Sequence, residues 1–274
     1  MIPNRHSLSV IIIASNEADR IRAALESVAR LADEIVVVVS NSTDGTADIC
    51  REYTESVVVT PDWPGDGVQK QRALERATGE WVLRIDADER LSPDLRDELS
   101  SLLASESIAE TAFTVPWATY VFGRYLTHGE CGVRHLNLFR REGSSFSSIV
   151  VHSELTPAPG PVGALTGRLL HDAHRSLHHL LVKLADYACL AGASRAASGG
   201  GGSLAGAFAK SWARFFKAYV LRLGFLDGWR GLLIATLYSH YVFNKHAAAW
   251  VERYPSLPVG TADAAGAADR QGDP

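Results

Sequence analysis

Residues 79–89 read GEWVLRIDADE and place an acidic cluster directly after a short apolar run. The run from Trp81 to Asp86 combines aromatic and β-branched residues, which predicts a strand buried in a sheet. Asp86 and Asp88, here called the acid pair, stand two positions apart, and side chains at that spacing point to one side of an extended chain. Both carboxylates can therefore face one divalent cation, directly or through water.

Three further strand and helix units precede this strand. The predicted strands are Leu8–Ala14, 34–39 and Val57–Thr60. Apolar residues at helical spacing predict helices over 21–31, 47–53 and 68–77, with Gly79 ending the last. Such alternation is typical of an α/β, Rossmann-like, mostly parallel sheet with helices on both faces. Ligands bind beyond the carboxyl ends of these strands, where the acid pair lies.

The acid pair predicts a binding site for a divalent metal. Carboxylate oxygens are hard ligands that suit Mg²⁺ or Mn²⁺, and such an ion would neutralise a departing diphosphate. The alternative is a solvated acidic loop before a helix, because three acids in four residues also occur by chance. The position after a strand of the predicted sheet favours the metal site.

The composition predicts a globular chain with one substantial core and an appended subdomain. The 274 residues are 46% hydrophobic and 21% charged. Cys50, Cys131 and Cys189 lie far apart, which favours neither a disulfide framework nor a zinc site and fits a reducing compartment. The apolar run Leu8–Ala14 is too short for a secretory leader, and no stretch reaches the roughly 18 apolar residues of a spanning helix. We therefore expect a cytoplasmic protein.

Charge divides the chain into an acidic part and a basic part. Residues 1–170 carry 16 Lys and Arg against 24 Asp and Glu, whereas residues 171–254 carry 10 against 4. We predict a metal- and ligand-binding domain over 1–170 and a helical, basic subdomain over 171–254, which meets an anionic surface. The Ala-, Gly- and Asp-rich residues 255–274 are predicted to be a disordered tail.

An aromatic and apolar face is predicted on the helical chain after residue 203. Its members recur at helical spacing: Phe208, Trp212, Phe215, Phe216, Tyr219, Val220 and Leu223. Residues 203–224 contain no Asp or Glu, and the Lys and Arg residues at 210, 214 and 217 lie off this face. The pattern predicts peripheral contact of the C-terminal helices with an anionic membrane, and no nucleic-acid motif accompanies it. The alternative is a helix packed on the N-terminal domain with its basic face in water, and the two can coexist.

Four segments carry a resemblance to a known family: SVIIIASNEADRI (9–21), DEIVVVVSNSTDGT (33–46), QKQRALERATGEWVLRIDADE (69–89) and GFLDGWRG (224–231). They resemble family 2 glycosyltransferases of the GT-A fold, most closely the enzymes that add a glucose to the inner core of bacterial lipopolysaccharide. The resemblance covers residue 8 to about residue 250. It implies an inverting hexosyltransferase of the cell envelope, with a nucleotide-diphosphate sugar as donor, a UDP-sugar being favoured, and a saccharide or glycolipid as acceptor. Together with the basic C-terminal helices, the resemblance predicts that the protein acts at the inner face of the cytoplasmic membrane.

The resemblance also implies which residues hold the donor. Those after the first two strands are Ala14, Ser15, Asn16, Glu17, Ser40 and Asp44. Asp86 and Asp88 match the family's acidic pair, which helps to hold the metal and the donor diphosphate. Lys70 falls in the helix that flanks the donor and could contact phosphate, although an ordinary surface lysine is the alternative.

Two positions depart from the family pattern. Val39 stands where the family usually has an acid that contacts the nucleoside, and Ser153 stands where the Glu of a Val-His-Glu pattern is expected. The aromatic and irregular stretch 112–155 is the predicted acceptor region, and the catalytic base is therefore sought among two of its carboxylates. Glu154 is favoured over Glu130 because it adjoins the end of a predicted strand, and each could also be an exposed surface acid.

The histidines in and near the acceptor region match no zinc-binding spacing. They are His128, His135, His152, His171 and His174. His152 could contact phosphate or order the acceptor loop, whereas we expect structural or surface roles for the other four.

Two other classes of function stay open at this point. A sugar nucleotidyltransferase would be expected to have a Gly-rich basic loop after its first strand, and Ser15, Asn16 and Glu17 argue against it. A non-catalytic sugar- or nucleotide-binding scaffold on the same fold is conceivable because of Val39 and Ser153. The retained acid pair favours an enzyme, since two like charges repel each other when no cation is present.

Overall fold

The computed structural model of the chain describes residues 6–147, 154–174, 176–200 and 202–254. The strands in these ranges are β1 Leu8–Ala14, β2 Glu34–Ser40, β3 Val57–Thr60, β4 Trp81–Asp86, β5 Glu89–Leu91, β6 Ala112–Val121, β7 Arg124–Leu126, β8 Arg134–Arg140, β9 Ser145–Phe146, β10 Leu155–Thr156, β11 Val162–Ala164 and β12 Leu169–His171. The α-helices are α1 Ile21–Val28, α2 Thr46–Arg51, α3 Asp66–Leu74, α4 Pro93–Leu103, α5 Leu177–Ala197, α6 Leu204–Phe216 and α7 Gly228–Val251.

A mixed sheet forms the centre of the fold. The strand order is β3-β2-β1-β4-β8-β6-β12-β5, and β7 and β11 pair with β6. Strands β1 to β4 pair in parallel, whereas β8 runs antiparallel to both of its neighbours, β4 and β6. Within this order, Ile13 of β1 lies opposite Val38 of β2 on one side and Asp86 of β4 on the other. The carboxyl ends of β1 and β4 therefore meet at one edge, which is where an open α/β sheet binds ligands.

Helices cover both faces of this sheet, as predicted. Alternate residues of β1 belong to different cores, because successive side chains of a strand point to opposite faces. Ile12 packs in a cluster that includes Leu25 of α1 and Leu99 of α4. Ile11 packs in a second cluster that includes Leu74 of α3. Full burial of each such side chain contributes about 1.5–3 kcal/mol, so β1 is fixed from both sides.

Gly79 has a different role from the one predicted. The helix predicted over 68–77 runs from Asp66 to Leu74, so Gly79 lies five residues beyond its end. A Cβ atom at Gly79 would lie 2.7 Å from the backbone nitrogen of Ser9 in β1. Glycine is therefore required here by the close approach of the two backbones, and the prediction that it ends the helix is wrong.

The chain divides into two compact units. Among the described residues, the first unit contains those from 6 to 179 and from 217 to 235, and the second contains those from 180 to 216 and from 236 to 254. The first unit holds the sheet, and the second is helical in its described residues. The sequence-based division into 1–170, 171–254 and 255–274 stays a prediction, and residues 255–274 lie outside the described ranges.

The helical C-terminal region is present, but its predicted face is interrupted. Helix α6 ends at Phe216, residues 217–221 form a π-helical segment, and Leu223 has a left-handed backbone with φ of 58°. The prediction of one continuous face up to Leu223 is therefore wrong, because a π turn and a left-handed residue shift the direction of the side chains that follow. Among the described residues, no helix is long and apolar enough to cross a membrane.

Candidate active site

The acid pair lies at the edge where β1 and β4 end. Asp86 is the last residue of β4, and Ala87 and Asp88 form a turn into β5, so the extended conformation expected for them is not observed. The turn is held by hydrogen bonds: the amide of Asp86 donates to Glu89 at 2.9 Å, and the amide of Asp172 donates to the carbonyl of Asp88 at 2.8 Å. Both carboxylates nevertheless line one cavity.

That cavity has a volume of about 240 Å³ and brings together several predicted donor and metal residues. Its lining consists of Ile13, Ala14, Ser15, Glu17, Trp63, Asp66, Asp86, Ala87 and Asp88. Four of these residues are carboxylates, and none of the described lining residues is Lys or Arg. Trp63 and Asp66 were missed by sequence reasoning, which interpreted residues 61–67 as an irregular loop. An acidic cavity of this kind suits a divalent cation and the anionic ligand that it carries.

Lys70 of α3 is a buried partner of the acid pair. Its Nζ lies 3.0 Å from Oδ1 of Asp86, and the residue is 4% exposed. The alternative of an ordinary surface lysine is therefore wrong. Burial raises the pKa of Asp86, but the positive charges of Lys70 and Arg84 outweigh it and lower that pKa to about 2. Asp86 is thus ionised at neutral pH.

Arg20 is a second cation at the site, which sequence reasoning missed. It immediately precedes α1 and donates to the carboxylate of Glu17 at 2.5 and 2.8 Å. Its Nη1 also donates to the carbonyl of Asp172 at 2.9 Å and lies 3.5 Å from Oδ2 of Asp88. Arg20 therefore connects the loop after β1 with the acid pair. Its sequence signal was its place three residues after Glu17 in that loop.

The acid pair fits a divalent metal in its chemistry, although its ligand set is incomplete. The part of the chain that the structure describes contains no group of three His, Cys, Asp or Glu residues placed to hold a metal. Asp86 and Asp88 supply hard carboxylate oxygens, and Mg²⁺ usually takes one or two protein carboxylates with water and phosphate oxygens completing its shell. The donor and water would therefore supply the other ligands.

Asn16 and Asp44 tie the first two loops together. The amide of Asn16, which has φ of 54°, donates to Oγ of Ser42 at 3.0 Å, and its Oδ1 accepts from the amide of Thr43 at 2.9 Å. Oδ2 of Asp44 accepts from the amide of Ala18 at 3.1 Å. The donor contacts of Asn16 and Asp44 stay predictions, but both residues tie the loop after β2 to the loop after β1, which borders the cavity.

Ser40 lies in a buried polar network. It has no exposed surface, and its hydroxyl accepts hydrogen bonds from Oγ1 of Thr60 at 3.0 Å and from Nε2 of Gln69. A contact between the Ser40 side chain and a nucleotide would require this network to open. Its predicted role in donor binding therefore stays a prediction that its burial does not favour.

The two candidate bases differ in their surroundings. The side chain of Glu130 is 5% exposed, and its Oε2 lies 3.9 Å from Nη1 of Arg222. Glu154 is exposed, and its amide donates to Oγ of Ser147 at 3.0 Å. Neither Glu130 nor Glu154 is among the described residues that line the cavity of the acid pair. The assignment of the base stays a prediction, and His152 and Ser153 lie outside the described residues.

A row of rings leads across the sheet to Asp88. Trp117 of β6 lies with its ring centroid 4.0 Å from that of His135 in β8 and 4.3 Å from that of His171 in β12. Nε2 of His171 lies 3.7 Å from Oδ2 of Asp88. Burial, assisted by the charge of Arg84, lowers the pKa of His135 to about 4. The spacing of the histidines gave no sign that His171 is a neighbour of the acid pair.

Comparison with known proteins shows the class of this chain. A model of the family described as Glycosyl transferase family 2 matches residues 9–126. The chain belongs to that family, because a relative aligns along nearly its whole length. That relative, the lipopolysaccharide core biosynthesis glycosyltransferase LpsC of Rhizobium meliloti (strain 1021), is 32% identical over 90% of this chain and 95% of its own. The chain is therefore a glycosyltransferase, which confirms the resemblance to that family.

Two further comparisons cover different parts of the chain. An uncharacterized glycosyltransferase of Rickettsia bellii (strain RML369-C) is 45% identical over 100 residues, which are 36% of this chain and 34% of that protein. The mannosyltransferase PcManGT of Pyrobaculum calidifontis, solved in complex with GDP-Man and Mn²⁺, is 21% identical and covers 96% of this chain and 80% of its own, with a TM-score of 0.48.

Proposed function

We propose that this glycosyltransferase moves a hexose, with inversion, from a nucleotide-diphosphate sugar to a saccharide or lipid-linked acceptor in lipopolysaccharide-core-like biosynthesis. The observation that carries the proposal is the acidic cavity at the carboxyl ends of β1 and β4, which contains both members of the acid pair. The full-length similarity to a lipopolysaccharide core glycosyltransferase supports the acceptor class. A UDP-sugar is the favoured donor.

The acid pair and its neighbours divide the work on the donor. Asp86 and Asp88 would hold Mg²⁺ or Mn²⁺, which when bound offsets the charge that develops on the departing diphosphate. The loop at Ala14, Ser15 and Glu17 borders the same cavity and would orient the sugar nucleotide. Lys70 adds a positive charge 3.0 Å from Asp86, which would help to offset the charge of the donor phosphates.

Glu154 is proposed as the base that deprotonates the acceptor hydroxyl. Its carboxylate is exposed, so an acceptor can approach it, whereas Glu130 is buried beside Arg222. A general base must come within hydrogen-bond reach of the hydroxyl, and such contacts often form only in the complex with substrate.

Calorimetric titration of UDP, GDP and dTDP, with and without Mn²⁺, tests the donor site. We expect one nucleotide to bind the wild-type protein in a Mn²⁺-dependent way and Asp88→Ala to lose that binding. Asp48→Ala is the matched control, because Asp48 is an exposed acid of α2 that pairs with Arg51. Equal binding by wild type and Asp88→Ala, or no binding of any nucleotide, would contradict the proposal.

Peripheral contact with an anionic membrane at its cytoplasmic face is the second part of the proposal. In the second unit, α6 exposes Phe208, Trp212 and Phe216 at four-residue intervals, the first two at 66% each. In the first unit, the end of the π-helical segment and the residues after it expose further large apolar side chains: Leu221, Leu223, Phe225, Leu226, Trp229 and Leu232. Residues 203–224 carry Lys and Arg but no Asp or Glu, which suits anionic head groups.

Co-sedimentation with vesicles of phosphatidylcholine, with and without phosphatidylglycerol, tests this contact. We expect binding to the anionic vesicles that the double substitution Phe208→Ser with Trp212→Ser weakens about tenfold or more, since each removes a large apolar side chain from the interface. Val162→Ser, which alters an apolar side chain of β11 that is also exposed, should bind as the wild type does. Unchanged binding by the double variant, or equal binding to neutral vesicles, would overturn the membrane proposal.

A further inference from the structure

Each carboxylate of the acid pair faces a cation that belongs to the protein. Lys70 lies 3.0 Å from Asp86, and Arg20 lies 3.5 Å from Asp88. We propose that Lys70 and Arg20 are exchangeable counter-ions, which neutralise the acid pair before ligand arrives and turn to the donor phosphates when cation and nucleotide bind. This inference rests on the proposed donor site and adds Arg20 to it as a positioning residue.

Because Lys70 is buried, it needs an anionic partner. An ammonium group in a buried position is costly unless an anion accompanies it, and Lys70 is 4% exposed. A cation bound to Asp86 would draw on the same carboxylate and leave Lys70 with a weaker charge partner. A diphosphate in the adjoining cavity supplies the replacement, because Asp86 itself lines that cavity. Cation and nucleotide are therefore expected to enter together.

Arg20 can release Asp88 without losing its other partners. Two of its nitrogens donate to Glu17 at 2.5 and 2.8 Å, whereas its approach to Asp88 is the longer one at 3.5 Å. Nη1 additionally donates to the carbonyl of Asp172. The guanidinium is thus anchored by Glu17 and Asp172, and its charge is shared with Asp88, which lines the cavity.

Charge balance explains why Lys70 and Arg20 would make the binding of the divalent cation and of the nucleotide depend on each other. Glu17, Asp66, Asp86 and Asp88 line the cavity, and like charges at such short range repel each other without compensation. With Lys70 and Arg20 next to the acid pair, a free divalent cation must compete with two positive charges of the protein for those carboxylates. A nucleoside diphosphate draws those charges away, so each ligand strengthens the binding of the other.

Mn²⁺ binding without nucleotide, followed by electron paramagnetic resonance of the free ion, tests the inference. We expect Arg20→Gln to bind Mn²⁺ alone about fivefold more tightly than wild type, because one competing charge is gone. The same variant should bind UDP with Mn²⁺ more weakly, so the ratio of Mn²⁺ affinities with and without UDP falls. GDP and dTDP are titrated in parallel.

Two variants and one control keep the outcome clear. Lys70→Gln should act in the same direction as Arg20→Gln, and thermal unfolding checks that each variant is folded. Arg22→Gln is the control, since Arg22 is a half-exposed residue of α1 that pairs with Glu52. One outcome contradicts the counter-ion proposal but not the proposed donor site. In that outcome, folded Arg20→Gln binds Mn²⁺ as wild type does or more weakly, while wild type shows normal Mn²⁺-dependent nucleotide binding. Wild-type protein that binds no nucleotide at all overturns both.

Discussion

Oδ2 of Asp227 accepts a hydrogen bond from the backbone amide of His128 at 3.0 Å. Asp227 is 5% exposed and belongs to the GFLDGWRG segment that carried part of the family resemblance. Arg230 of the same segment donates two hydrogen bonds to the carbonyl of Phe122, at 2.9 and 3.0 Å. GFLDGWRG therefore holds the two connections that flank β7, on the proposed acceptor side of the first unit.

Asp227→Ala should lower the free energy of unfolding by about 2 kcal/mol, because it leaves the part-buried amide of His128 without its acceptor. Asp227→Asn keeps an acceptor oxygen and should lose less. Urea unfolding of both variants measures the difference. Equal stability of wild type and Asp227→Ala would show that the bond does not hold the loop.

Gly79→Ala should lower the free energy of unfolding by about 2–3 kcal/mol, since its new methyl group would meet the Ser9 backbone at 2.7 Å. Gly45→Ala is the matched control, because a Cβ at Gly45 has no atom within 4 Å. Thermal or urea unfolding compares the two. A Gly79→Ala variant as stable as Gly45→Ala would contradict the account of this glycine.

His135 should make stability depend on pH. Its folded pKa, about 4, lies below its ordinary value of 6.5, so the unfolded chain takes up a proton first as pH falls. The contribution of the neutral His135 side chain to the free energy of unfolding is therefore complete above about pH 6.5, and it is lost as pH falls toward 4. Wild type should therefore lose about 2 kcal/mol more than His135→Phe between pH 7.5 and 5.

Urea unfolding at the two pH values measures that difference, with His178→Phe as the control because His178 is exposed at the start of α5. The control should follow wild type. If His135→Phe shows the same loss as wild type, the His135 side chain is not the source.

Glu154→Gln should reduce kcat by about 10²–10⁴-fold, because the amide cannot accept the acceptor's proton. Nucleotide binding should stay as in wild type, which separates a lost base from a damaged donor site. Steady-state kinetics with the donor identified by calorimetry measures kcat. The control is Glu142→Gln, which alters an exposed acid. A larger loss in Glu130→Gln than in Glu154→Gln would transfer the role to Glu130.

The sequence by itself determined the first four strands, the family and the position of the acid pair at the end of β4. The predicted limits of Leu8–Ala14, Val57–Thr60 and Trp81–Asp86 coincide with β1, β3 and β4. These features are local: an apolar run, the turn residues that bound it and the acids that follow it lie within about ten residues. Where a prediction depended on a distant contact, as for Gly79, it was wrong.

The tertiary structure alone decided which charges surround the acid pair. Arg20 and Asp88 are 68 positions apart in the sequence, and His171 reaches Asp88 through the pairing of β12 with β5 and β6. Such neighbours depend on strand order and register, which no short stretch of sequence encodes. The burial that pairs Lys70 with Asp86 has the same origin, because it needs α3 packed against the sheet beside the end of β4.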